Sequence, residues 1–177
     1  GEIVYNYDVK DALKDDVVEN YKMVYLKTHL NHSEQQQYDQ LTKKISKRYA
    51  QLYSNSGSNS IDIDKQLKLL LFKRSRVVNE SEQRKYVATK LILDNISRKK
   101  IVFCESISQA EDIQEECAFN DLSTVIYHSK LSQKRRLNAL NDYQANYYHT
   151  LIGCKALDEG FDVPDIDFGI IVSQTKT

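Results

Sequence analysis

TLIGCKALDEGFDVPDIDFGIIV, residues 150–172, decides how the rest of the chain is read. It opens on an apolar run, Thr150–Cys154, and closes on another, Phe168–Val172. Between them, Leu157–Asp167 holds five carboxylates, Gly160 and the only proline of the chain. Short runs rich in Leu, Ile and Val read as strands covered on both faces. The stretch between them is no core pattern, because carboxylates are almost never fully buried without a partner. Asp158, Glu159 and Asp162 are of a type that binds a metal, performs acid/base work, or accepts hydrogen bonds from ribose hydroxyls or an arginine. A solvated acidic loop is the plain alternative.

Upstream the same alternation repeats. Ile101–Cys104 (IVFC) and Ser123–Tyr127 (STVIY) read as strands. Between them a helix capped by Ser108 is expected through Phe119, with Ala110, Ile113, Cys117 and Ala118 on one side. Ser132 caps another, through about Tyr143. Strands separated by helices of this length imply βαβ crossovers. The expected fold is α/β, with a central, mainly parallel sheet flanked by helices in three layers. Ligands of such sheets sit beyond the carboxyl ends of the strands. Those ends are Cys104–Glu105–Ser106, His128–Ser129, Cys154–Lys155 and Ser173–Gln174, and they are expected along one rim.

The first hundred residues read differently. Glu2–Tyr7 and the alternating Tyr21–Leu30 are strand candidates, with helical turns over Asp8–Lys14. Asn31 or Ser33 caps a helix over 34–53, where Tyr38, Leu41, Ile45, Tyr49 and Leu52 form an apolar stripe. SNSGSNS, residues 54–60, cannot bury enough apolar surface to offset the entropy of ordering it, so a mobile loop is expected near 54–62. Helices should follow near 63–77 and 81–96, with Leu67, Leu70, Leu71 and Val78 on one apolar face and Tyr86, Leu91 and Leu93 on another.

Composition bounds the function. The chain has 177 residues, 41% hydrophobic and 28% charged, and a formal net charge of zero. A globally basic nucleic-acid binder is excluded, but a local basic face is not. Residues 63–100 hold eleven Lys and Arg against four Asp and Glu, while residues 101–177 hold six against twelve. The basic block reads either as a contact for phosphates or an acidic partner, or as solvated helix faces, and it does not read as an interleaved aromatic platform. No apolar run is long enough for a membrane span, and the acidic start is unlike a signal peptide. Cys104, Cys117 and Cys154 form no C-x-x-C pair and read as free thiols in a reducing cytosol, so a cytoplasmic location is expected. Cys104 with His128 as a thiol nucleophile, and His29 with His32 as metal ligands, are weaker readings. No G-x-x-x-x-G-K-[ST] phosphate loop occurs.

Read in order, these strand ends resemble the motifs of the second RecA-like domain of superfamily 2 helicases, a P-loop NTPase-like fold. The branch is that of restriction-enzyme translocating subunits and excision-repair helicases. Ile101–Ser106 (IVFCES) resembles motif IV, and Leu151–Asp162 (LIGCKALDEGFD), continuing as VPDIDFGIIV, resembles motif V. Tyr127–Arg136 (YHSKLSQKRR) is similar to the segment in which a basic helix follows a strand-end His. GEIVYNYDVKDAL and SEQQQYDQLTKKI resemble the opening of this domain. Cys154 departs from the Thr common in motif V. The resemblance implies residues 1–20 as a connection from a first RecA-like domain, residues 21–177 as the second, and a chain ending before the arginine-bearing motif VI. It implies an ATP-dependent helicase as the parent, acting on DNA or RNA, with ATP and Mg2+ as its cofactors, and no complete catalytic set here. Glu159, Gly160 and Asp162 would meet the nucleotide; Ser106, His128, Cys154 and Lys155 would line the nucleic-acid backbone. Two other readings stay open: a standalone metal-dependent enzyme using Asp158, Glu159 and Asp162, and a non-catalytic interaction module.

Overall fold

The computed structural model describes residues 21–54, 60–154 and 166–172. Three helices come first: α1 (His32–Ser54), α2 (Ser60–Asn79) and α3 (Glu82–Asp94). Strand and helix then alternate: β1 (Lys100–Cys104), α4 (Ile107–Phe119), β2 (Val125–Tyr127), α5 (Gln133–Gln144), β3 (Thr150–Cys154) and β4 (Phe168–Ile171). The four strands form one sheet in the order β2-β3-β1-β4, and every pairing is parallel.

Strand periodicity sorts the core into two layers. Val102, Cys104, Ile152, Cys154 and Ile170 point to one face, where Ala88 and Ile92 of α3 and Ala110, Ile113 and Cys117 of α4 cover them. Ile101 and Leu151 point to the other, against Tyr143 of α5. The Tyr143 hydroxyl donates to the Lys100 carbonyl at 2.9 Å, so its polar end is satisfied inside the core. This is the three-layer α/β arrangement expected from the strand and helix pattern.

Several local expectations change. Tyr21–Leu30 is no strand: among the described residues no strand pairs with it, and Tyr25 is 81% exposed. Alternation without a partner edge does not make a sheet. The cap of α4 is Ser106, not Ser108; its Oγ accepts from the Gln109 N–H at 3.1 Å. Ala118 is exposed rather than packed. On α3 the buried residues are Ala88, Thr89 and Ile92, while Tyr86 and Leu93 face solvent. Helices α1 and α2 reach Ser54 and Ser60, which narrows the connection to 55–59; those residues, like the strand and turns expected within 2–14, lie outside the described ones. The basic block is divided too: Lys99 and Lys100 are buried, and the Lys100 ammonium donates to the Arg98 carbonyl at 2.7 Å.

Ile152 is fully buried at the centre of the sheet. Ile152→Ala is expected to lower the unfolding free energy by roughly 2–5 kcal/mol in urea titration. Leu137→Ala, at a 58% exposed site on α5, should change it by less than about 0.5 kcal/mol.

Candidate nucleotide and nucleic-acid interface

Register sets the height of each strand end. Cys104 pairs with Cys154, Tyr127 with Gly153, and Phe103 with Ile171. Residues 128, 154, 104 and 172 therefore stand level, in that order, along one rim. The Val172 N–H, which donates to the Phe103 carbonyl at 3.0 Å, closes the row. Three of the four expected strand ends are thereby brought together; the fourth, Ser173–Gln174, lies just past Val172 and outside the described residues.

Rim side chains differ in what they offer. The Ser106 hydroxyl caps α4 and also donates to Glu80 at 2.5 Å. His128 is 4% exposed; its Nε2 stands 3.8 Å from a Glu111 carboxylate oxygen, and its Nδ1 has no partner among the described residues. Cys154 is buried beside Cys104. Lys155, Asp158, Glu159, Gly160 and Asp162 lie outside the described residues. Of the five carboxylates in 157–167, Asp167 is described, and it pairs with Arg98 at 3.2 Å as a structural tie.

Chemistry at the thiols is closed. Burial, with Cys154 alongside, pushes the Cys104 thiol up to about 12, and burial pushes Cys117 up to about 11. A buried thiol held protonated is a poor nucleophile, which weighs against the Cys104–His128 reading. Among the described residues no three His, Cys, Asp or Glu side chains are placed to hold a metal. His32 instead bonds Gln36 at 2.8 Å. Among the described residues the rim thus provides walls and caps, and no ligand set for a metal.

Two residues not singled out as site residues tie α2 and α3 to this rim. Glu80 receives the Ser106 hydroxyl, and Arg84 donates from a guanidinium nitrogen to the Val172 carbonyl at 2.7 Å. The Arg84 Nε is buried without a partner among the described residues, and burial lowers the guanidinium pKa. These partners are 26 and 88 residues apart, so no local spacing announces them. Beside them a hollow of about 260 Å³ is edged by Glu34, Glu80, Glu82 and Asp112. Lys85 also lines it, against four carboxylates, so the hollow is acidic on balance and ill suited to a phosphate.

The family described as the helicase conserved C-terminal domain matches residues 82–177. The chain is 30% identical over 78 residues to Nucleolar RNA helicase 2-B of Xenopus laevis, a match of 44% of this chain and 10% of that protein. It is 29% identical over 91 residues to UvrABC system protein B of Prochlorococcus marinus, covering 48% of this chain and 13% of that one. The matched segment is thus a small part of those relatives. Among solved structures, the Sulfolobus solfataricus SWI2/SNF2 ATPase C-terminal domain superposes with a TM-score of 0.63 at 14% identity, over 81% of this chain and 68% of that one. The core of that ATPase in complex with dsDNA gives 0.60 at 15% identity, over 82% of this chain and 33% of that one. At such identities the likeness establishes the fold.

Ser106→Ala removes a cap and leaves Glu80 short of a donor. A loss of about 1–2 kcal/mol is expected in denaturant titration. The thiols give a pH signature. Their folded pKa values lie above the ordinary 9.0, so the folded state holds protons that the unfolded chain releases. Stability is then fully present below about pH 9 and falls as pH rises toward 11–12. The melting temperature should decline above about pH 9, and less steeply in Cys104→Ala.

Proposed function

Since the chain belongs to the helicase conserved C-terminal domain family, we propose that it is the second RecA-like domain of an ATP-dependent nucleic-acid helicase or translocase, lining one side of an ATP cleft and part of the nucleic-acid track. The observation that carries this reading is the level row of strand ends 128, 154, 104 and 172, with the motif V-like residues 155–165 following Cys154 in the sequence. In a parallel sheet that rim is where ligands gather.

The loop would supply the nucleotide contacts. Gly160, lacking a Cβ, leaves room for a phosphate to approach the backbone. Glu159 and Asp162 would face ribose, Mg2+ or the neighbouring domain. ATP, when bound between two such domains, supplies the free energy that opens and closes the cleft. Lys155 offers a cation to the nucleic-acid backbone; such contacts ignore sequence and weaken with salt. The main-chain groups at His128 and Cys154 would border the same track, since both side chains are buried. Ser106 would contribute through the α4 terminus that it caps. Residues 21–177 would form the domain, and 1–20 would join it to a partner domain bearing the phosphate loop. DNA is the favoured polymer, supported by the resemblance of the motif V segment to that of excision-repair helicases.

The purified chain is expected to bind an oligonucleotide weakly at low salt, and Lys155→Ala should reduce that binding by at least several-fold in fluorescence anisotropy. Equal binding by the wild type and the variant would refute the assignment of Lys155. Because the sequence holds no phosphate loop, ATP turnover by this chain alone should stay at background. A rise in melting temperature with added Mg2+ or Mn2+ would instead favour a metal-dependent enzyme built on Asp158, Glu159 and Asp162.

A further inference from the structure

Helices α1 and α2 together carry nine Lys and Arg against four Asp and Glu, the reverse of the acidic sheet half that follows. They run antiparallel, since the Arg74 guanidinium late in α2 lies 5.4 Å from the centre of the Tyr38 ring early in α1. Leu41, Ile45 and Leu67 are buried and mark the seam between them. Away from that seam α2 presents Lys65, Lys68, Leu69, Phe72 and Arg76, a stripe at spacings of three and four. Phe72 is 67% exposed, and the Lys68 and Arg76 side chains are 73% and 55% exposed. Lys68 pairs at i,i+4 with Asp64 in solvent, a pair worth little that yields readily to a polyanion, while Arg76 pairs with the more buried Glu80 and keeps its own side chain half exposed.

Phe72 corrects the reading of this block as lacking an aromatic platform. An exposed ring flanked by cations on one helix face has the composition of a single-strand binding surface: stacking for a base, charge for the phosphates on either side. From Lys68 to Phe72 to Arg76, each step of four residues advances about 6 Å along the axis, comparable with one nucleotide of an extended strand.

Where the pair is anchored gives the stripe its meaning. At the end of α2, Glu80 takes the Ser106 hydroxyl and the Asn79 carbonyl takes the Gln109 amide, from the cap and first turn of α4 at the rim. At the start of α1, Glu34 accepts from the Asn31 N–H and from the Glu82 N–H, each at 2.8 Å, so one carboxylate clasps the starts of α1 and α3. The basic pair is therefore tied to the same rim, and it precedes the segment 82–177 that the family match covers.

We propose that the outward stripe of α2, centred on Phe72, is a sequence-independent contact for single-stranded nucleic acid that prolongs the rim track. This rests on the helicase-domain reading above. Phe72 stacks on a base, while Lys65, Lys68 and Arg76 meet phosphates.

Fluorescence anisotropy of the full 177-residue chain with a labelled oligothymidylate and a labelled duplex, between about 50 and 200 mM salt, tests it. Phe72→Ala should weaken single-strand binding about 5-fold or more while changing duplex binding little, and Phe72→Tyr should restore it. Lys65→Gln with Lys68→Gln should reduce the slope of log K against log salt by about 1.4 for the single strand. All three positions are solvent-facing, and unchanged thermal melts would confirm intact folding. If these variants bind like wild type while Lys155→Ala is impaired, the stripe is overturned and the rim track stands. If the stripe variants fail while Lys155→Ala is unaffected, the stripe stands and the Lys155 assignment falls. If poly-glutamate competes as well as the oligonucleotide and Phe72→Ala has no effect on either, the face serves an acidic protein and the proposal is wrong.

Discussion

The in-register parallel pairing of β1 with β3 is the constraint on which the other features depend. It joins the two central strands, and it is the only pairing among the described strands that extends over five residue pairs, from Lys100–Thr150 to Cys104–Cys154. A slip of β3 by one residue would turn Ile152 from the α3–α4 layer toward α5 and bring Leu151 the other way. Both faces are covered, so every side chain of the slipped strand would be wrongly placed at once. Fixing the register also fixes the height of the strand ends, and that is the step from packing to function. The rim is level because the core admits no other alignment.

Polar ties then join the helices to that rim where apolar packing is thin. Ser106, Gln109 and Arg84 each spend a donor on a distant partner, Glu80, Asn79 or Val172. Such bonds add little net stability individually, but they are directional, and their loss leaves half-buried groups unsatisfied. They define how α2 and α3 stand over the strand ends. Charge follows the same division: the sheet half is acidic and the helical pair basic, so neutrality of the whole conceals an electrostatic polarity across the molecule.

Much of the fold was legible in the sequence. Residues 101–172 announced their strands and helices through short Ile- and Val-rich runs and through Ser132 as a cap, signals that need only a few neighbouring residues. The sheet order was not legible, because it depends on pairings fifty residues apart. Tyr21–Leu30 misled for a related reason: alternation predicts a strand only when another edge accepts it. Ser108 lost the cap to Ser106 because the hydroxyl two residues earlier sits in extended backbone and meets the Gln109 N–H. At the site, residue types at strand ends pointed to the rim but not to its interior. His128 and Cys154 look like surface chemistry in one dimension and are buried in three. Phe72 went unnoticed because neighbours along the chain do not reveal which face of a helix meets water.

The clasp made by Glu34 has a mechanical consequence. One carboxylate fastens the starts of α1 and α3, while α2 is bound to the cap and first turn of α4 through Glu80 and Asn79. Held at its start by that carboxylate, the 23-residue α1 is a lever about 34 Å long. A tilt of about 10° at its foot would swing its far tip by about 6 Å. Under the proposed function, a small shift between neighbouring strand ends would be magnified at that tip to roughly the length of one nucleotide.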